Sequence, residues 1–284
     1  MIKVKAAGIL TSIQDLGRFG YRRLGVPLSG AMDVYMSRLA NELVGNSTEK
    51  AVLEMTMVGP VLEFKKATQI AITGAGFTPT VNNIEVPMNT KIAVQQGDII
   101  KFGLAAYGLR GYLSVAGGFS SEFILGSQSK YNGLTKQPIL KKGDVLEINA
   151  TEILNSRTTT SVKVDMAHFT TKEIQVYKGP EFDFLPKEVQ QNIESMSLTV
   201  SVKSSRMAYL LTGMEQIAAS EIISAPVQPG TVQLTPSGQC VVLMRDAQTT
   251  GGYARILQLS TSGINKLAQK RAGDSFNFRI SDLP

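Results

Sequence analysis

Gly143-Asp144-Val145-Leu146-Glu147-Ile148 is a turn dipeptide followed by a strand-like run, and it returns as Gly273-Asp274-Ser275-Phe276-Asn277-Phe278, 130 residues further on. Glycine accepts the positive φ of a tight turn and aspartate bonds back to the turn's own backbone, so each copy reads as turn, then strand. One Gly-Asp match alone carries nothing, because such turns are common. Three more pairs keep the same order. They are Gly59-Pro60 with Gly179-Pro180, Gln96-Gly97-Asp98-Ile99 with Pro229-Gly230-Thr231-Val232, and Gly111-Tyr112-Leu113 with Gly252-Tyr253-Ala254, at offsets of 120, 133 and 141 residues. Four matches in order predict a duplicated β domain. The join falls in the polar Thr/Ser-rich stretch from Asn149 to Ser161, giving domains 1–155 and 156–284.

Short strands fill both halves. Val52-Leu53-Glu54-Met55-Thr56-Met57 and Lys91-Ile92-Ala93-Val94 alternate, and Gly, Pro and Asn cut the runs apart. Strands at this density predict a mainly β, barrel-type architecture with a few helices. One amphipathic helix stands out over 29–45. Ser29 or Gly30 starts it, Met32, Met36, Leu39, Ala40 and Leu43 recur at helical spacing, and Gly45-Asn46 ends it. Shorter helices are expected over 187–193, after Pro186, and over 263–270.

Composition narrows the function. The 284 residues are 43% hydrophobic and 18% charged, an ordinary folded balance. No apolar stretch is long enough for a membrane helix, and the start does not read as a signal peptide, so a cytoplasmic protein is expected. The formal charge of +6 is scattered, without a basic stripe or a nucleic-acid motif. Cys240 and His168 are each the only residue of their type. That excludes an internal disulfide and a Cys/His zinc cage, and no metal site is expected. His168 lacks a nucleophile motif nearby, and Cys240, in an apolar run, reads as a buried small residue.

Three stretches carry polar residues that turns do not require. In Thr11–Asp33, arginines alternate with aromatics and glycines ahead of the helix. The glycines and arginines there, Arg18 among them, suit anion binding, and equally a surface loop with arginines over rings, and the stretch also carries Asp15 and Asp33. Gly126-Ser127-Gln128-Ser129-Lys130 is small and polar but lacks Walker spacing, so Ser127 belongs to an unorthodox anion loop or to a plain turn. The third, Arg245-Asp246-Ala247-Gln248-Thr249-Thr250-Gly251-Gly252-Tyr253-Ala254-Arg255, is too long for a simple hairpin turn. Asp246 can act as a base or hold Arg206 or Arg255. By the repeat, this loop corresponds to Ala105–Tyr112.

Together these stretches resemble the C-type subunit of 5-oxoprolinase, of the biotin-dependent carboxyltransferase family, also called allophanate hydrolase subunit 2. The likeness rests on Thr11-Ser12-Ile13-Gln14-Asp15-Leu16-Gly17-Arg18, Gly25-Val26-Pro27, Ser29-Gly30-Ala31-Met32-Asp33, Leu39-Ala40-Asn41, Gly45-Asn46 and Leu53-Glu54. It continues in Tyr112-Leu113, Gly117-Gly118, Ser205-Arg206-Met207, Pro229-Gly230-Thr231 and the Asp246–Tyr253 loop. The resemblance implies two cyclophilin-like β-barrel domains. It implies a B-type partner subunit resembling the kinase-A inhibitor protein, and an A-type third subunit. The set converts 5-oxo-L-proline, ATP and water to L-glutamate, ADP and phosphate, with Mg²⁺ accompanying the ATP. The related domain of urea amidolyase transfers carboxyl from carboxybiotin to urea. Another relative is a regulator that counters the kinase inhibitor. No Met-Lys-Met biotin site occurs in this chain, so no covalent biotin is expected.

The resemblance makes Asp15, Arg18, Arg206 and Asp246 catalytic candidates. It sets Asp33, Ser127, Gln248, Thr249, Thr250 and Tyr253 toward a small amide substrate. Arginines and amide donors suit the negative charge that develops on an amide oxygen. Three arginines usual in the family are replaced here, by Gln128, Leu210 and Ala247, with Lys130 offering a point charge in place of a fork. These losses keep a non-enzymatic regulatory subunit, and an allophanate or urea-pathway carboxyltransferase, open as alternatives.

Overall fold

In the computed structural model, residues 1–149, 161–214, 217 and 221–282 are described. The fold is mainly β, with barrel-type units and a few short helices, as expected. The chain forms two compact units, 1–18 with 29–166, and 19–28 with 167–284. The expected boundary at 155/156 lies outside the described residues. Residues 19–28, expected in the first domain, group with the second half.

The first unit has two sheets around one core. A five-stranded sheet runs Leu10–Gln14, Val52–Thr56, Arg110–Val115, Thr68–Gly74, Lys91–Val94 in spatial order. A seven-stranded sheet is built about Ile2–Ala6 and Val61–Phe64. Alternation decides which side chains meet. Leu53, Met55, Leu113 and Val115 point into the core with Ile2, Val4, Leu62 and Phe64. The residues between them, Glu54, Tyr112 and Ser114, point to the other face. There the helix Val34–Leu43 covers them and packs on Arg110–Val115 and Thr68–Gly74. A sheet face carrying Glu54, Tyr112, Thr73 and Ser114 is thus buried too, and its polar groups need partners.

The helix begins later than its periodicity implied. Asp33 is the N-cap, its carboxylate accepting from the Met36 amide at 3.2 Å. Ser29 and Gly30 have φ of 57° and 91°, left-handed values that a right-handed helix cannot include. The expected span 29–45 is therefore corrected to Val34–Leu43. Met32 is buried all the same, which is why it joined the apolar period. The other helices are Ala167–Thr170, Lys187–Asn192 and Thr261–Leu267, the last capped by Ser260 rather than starting at Gly263.

The second unit closes on itself. Its hydrogen-bonded ring runs Glu173–Lys178, Ser275–Ile280, Leu198–Val200, Ala208–Thr212, Cys240–Leu243, Thr231–Leu234, Thr250–Leu259 and back to Glu173–Lys178. Closure removes the sheet edges, apart from an outer strand, Glu221–Pro226, on Thr250–Leu259. Ile174, Val176, Val232, Cys240, Ile256, Phe276 and Phe278 are among the buried apolar residues.

The repeat is sound at the sheet centres. Arg110–Val115 is flanked by Val52–Thr56, ahead of Gly59-Pro60. Thr250–Leu259 is flanked by Glu173–Lys178, ahead of Gly179-Pro180, with all pairings antiparallel. The loops 105–109 and 245–249 lead into these matching strands, as the repeat predicted. The Gly-Asp turns do not match as well. Val145–Ile148 pairs antiparallel with the first strand of its unit, whereas Ser275–Ile280 pairs parallel with Glu173–Lys178. No helix among the described residues is long and apolar enough to cross a membrane.

Candidate functional site

The expected residues fall into separate groups. In the first unit, Asp15 and Ser127 meet across 112 positions of sequence. Asp15 Oδ1 accepts from the Ser127 hydroxyl at 2.6 Å, the Ser129 hydroxyl at 2.5 Å and the Gly17 amide at 2.8 Å. Its Oδ2 accepts from the Gln128 amide at 2.6 Å. With four donors on its carboxylate, Asp15 ties the 15–18 loop to the 127–129 turn. Arg18 has no exposed surface and donates through Nη2 to the Ser129 carbonyl. Arg18, expected to contact an anion, lies buried as a strut between the same two loops. Ser127, expected toward substrate, is also without exposed surface and takes part in that strut.

Asp33, expected near substrate, is fully buried. Its amide donates to the Tyr112 hydroxyl at 2.8 Å, and that hydroxyl donates to Glu54 Oε2 at 2.9 Å, which also receives the Met32 amide at 2.7 Å. Burial first, then the charge of Glu54 and that of Asp33, push the Tyr112 phenol well above its ordinary value. The sequence motifs contain Leu53-Glu54 and Tyr112, but sequence reasoning missed the network they form. The signal available was a Glu and a Tyr at the polar positions of alternating strands. Asn41 and Asn46 are structural too. Ser114 donates to Asn41 Oδ1 at 2.6 Å, and Asn46 reaches the Val115 carbonyl at 2.8 Å, locking the helix end to the sheet.

In the second unit, Arg206 and Asp246 form a fork-to-fork pair, Nε to Oδ2 at 2.8 Å and Nη2 to Oδ1 at 3.1 Å. Asp246 therefore takes Arg206, and Arg255 takes Glu181. The Glu181 carboxylate accepts Arg255 Nε at 2.9 Å, Nη2 at 2.6 Å and the Arg255 amide at 2.9 Å. These bonds from Arg255, outweighing burial, hold the Glu181 carboxyl below its ordinary value and raise Arg255 in turn. Gln248 and Thr249 are half-buried, and Thr250 and Tyr253 are exposed at the start of Thr250–Leu259. The Thr249 carbonyl accepts from the Val227 amide at 3.0 Å.

Beside this loop lie two clefts. The larger, about 420 Å³, has apolar walls from Phe19, Leu28, Leu259 and Ile264, and is flanked by Arg22 and Arg245. The smaller, about 240 Å³, lies among Lys178, Pro226, Leu257 and the paired Arg255. Arg22, Gln228 and Gln258 line both. Arg245 and Arg255, the two ends of the 245–255 loop, reach the clefts. Gln248, Thr249, Thr250 and Tyr253 between them do not line either one. In the sequence Arg22 is one arginine among several, and nothing local distinguishes it from Arg23.

Two β units, one a closed seven-stranded barrel with cationic clefts at its flank, define a barrel-type protein. A family described as "Carboxyltransferase domain, subdomain A and B" matches residues 24–280, and the chain belongs to that family. It is similar to the C-type subunit of 5-oxoprolinase from Escherichia coli, with 33% identity over 98% of this chain and 90% of that one. Among solved structures it resembles TTHA0988, with a TM-score of 0.88 and 30% identity over 98% of this chain. It also resembles the Kluyveromyces lactis urea carboxylase, with a TM-score of 0.85 and 31% identity over 98% of this chain and 27% of that one. The chain spans about half the length of the TTHA0988 chain, 55%. Two of these relatives are named as an enzyme subunit and an enzyme.

Proposed function

We propose that the chain is the C-type subunit of an ATP-dependent 5-oxoprolinase. It acts with a B-type subunit, and with an A-type one, to convert 5-oxo-L-proline, ATP and water to L-glutamate, ADP and phosphate. The observation that carries this reading is the match, over nearly the whole of both chains, to a protein named as the C-type subunit of 5-oxoprolinase. The clefts agree with it, because both reactants are anions and the lining carries arginine and lysine. ATP would supply a phosphoryl group to activate the amide oxygen. The residues present suit its phosphates better than its metal. Among the described residues no three of His, Cys, Asp and Glu gather as a cation cage. This chain's own contribution is cationic, and Mg²⁺ would arrive with the nucleotide or be held elsewhere in the assembly.

In this reading Asp246 takes the fork of Arg206 and fixes its guanidinium in one orientation, a pre-organised positive charge for the reacting amide. The exposed Thr250 and Tyr253 and the half-buried Gln248 and Thr249 would meet the substrate from the loop beside the clefts, whose lining they do not join. Asp15 and Arg18 position loops and do not touch it. The test is 5-oxo-L-proline-dependent ADP release from the chain reconstituted with its B-type and A-type partners. Turnover that falls at least tenfold on Arg206→Ala is expected. No turnover with partner binding intact would favour the regulatory reading instead, and full activity in Arg206→Ala would remove the assignment of that residue.

A further inference from the structure

Arg22 stands on the wall that the two clefts share. Of the described residues lining them, four are cations (Arg22, Lys178, Arg245, Arg255) and none is Asp or Glu. The four cations are not equivalent. Arg255 is committed to Glu181, and Lys178 lies over the Phe182 ring, 5.0 Å from its centroid. Arg22 is half-buried, and no carboxylate among the described residues pairs with it. A guanidinium against apolar walls, with no internal anion to neutralise it, is worth more to a ligand oxyanion than one in open water.

The partition between the clefts is fixed in advance. Gln258 Oε1 accepts the Thr231 hydroxyl at 3.0 Å, and its Nε2 donates to the carbonyls of Pro229 at 3.0 Å and Leu259 at 3.2 Å. Gly230 gives it room. A Cβ there would come within 2.5 Å of Gln258 Nε2 and 2.8 Å of Ile264 Cδ1, and its φ of 89° already favours glycine. A pre-formed concavity with apolar walls and a few placed polar groups is the general pattern of a small-ligand site.

We infer that this double cleft binds a small oxyanion, with Arg22 holding its carboxylate or phosphate oxygens and Phe19, Leu28 and Ile264 covering its apolar body. The use of 5-oxo-L-proline as a probe rests on the functional reading above, while the oxyanion chemistry stands on the cleft alone. The experiment is isothermal titration of the full chain, without partners, by inorganic phosphate and separately by 5-oxo-L-proline. At least one is expected to bind. Arg22→Gln is expected to weaken that binding about tenfold or more. Arg22→Lys, which keeps the charge and loses the fork, is expected to weaken it less. Lys66→Gln, on an exposed bend of the first unit, should leave it unchanged. Thermal melts of each variant separate loss of the site from loss of the fold. Binding of phosphate alone identifies a phosphoryl ligand, and binding of 5-oxo-L-proline alone identifies a carboxylate. Either supports the site if Arg22→Gln abolishes it. Binding of neither, or binding indifferent to both Arg22 variants, overturns it. Turnover in the reconstituted complex without Arg22-dependent binding would sink the cleft and leave the 5-oxoprolinase reading standing.

Discussion

Glu181→Gln isolates one ion pair in the second unit and reads its charge through pH. The Glu181 and Arg255 side chains are 10% and 20% exposed, so the pair is largely out of water. Removing one partner of a buried pair costs about 3–5 kcal/mol, while exposed pairs give about 1 kcal/mol or less. The partial exposure, and the one acceptor that glutamine keeps, put the expected loss near 2–3 kcal/mol. For a unit of this size that lowers Tm by about 6–12 °C. The loss should depend on pH with a definite sign. A carboxyl held below its ordinary value of 4.5 stabilises the fold above that value and loses the contribution as pH falls through the lowered one. The gap between wild type and Glu181→Gln is therefore full at pH 7 and narrows as pH falls below 4.5 and through the lowered value, where the wild-type group becomes neutral as well. Circular-dichroism melts at pH 7, 5, 4 and 3 measure it. A gap as wide at pH 3 as at pH 7 would show that packing, not charge, accounts for the loss, and would refute the argument.

Two further predictions concern the first unit. Asp15→Asn turns an amide N–H₂ toward donors that all point at this position, and is expected to cost about 2–4 kcal/mol in urea unfolding and to speed proteolytic cutting within 126–130. Tyr112→Phe leaves Glu54 short of a donor and the Asp33 amide short of an acceptor, both buried. It should cost about 1–3 kcal/mol, seen as a lower denaturant midpoint with an unchanged slope.

Sheet content, the Val34–Leu43 helix and the likeness of the two halves were legible because alternation, helical period and turn dipeptides are local signals. What polar residues do was not. Asp15 reads as a catalytic candidate until its donors are counted, and three of the four lie 112 to 114 positions away. Asp33 reads as a ligand group until the helix is seen to start one residue later. Ser29 and Gly30 take left-handed conformations that no apolar periodicity reports, so the helix was drawn too long. Arg22 and Gln258 share a cleft wall only because residues 19–28 fold with the second half of the chain, an association carried by no motif.

The three missing family arginines acquire a physical reading from the same geometry. Ala247 is 4% exposed, packed with Val227 and Leu243 and touched by Val241 and Ala208. Leu210 lies opposite Val241 across the strands, next to that cluster. Two adjoining positions are thus apolar, and restoring an arginine at only one of them would place a guanidinium against hydrocarbon with no new carboxylate to receive it. Gln128 is different in kind. Its amide donates to the Phe119 carbonyl at 3.0 Å, so a neutral side chain holds backbone there. The flank of the larger cleft is cationic through Arg22 and Arg245. Residues 128, 210 and 247 therefore sit at packed or hydrogen-bonded positions outside the lining of the two clefts, whose cations are Arg22, Lys178, Arg245 and Arg255.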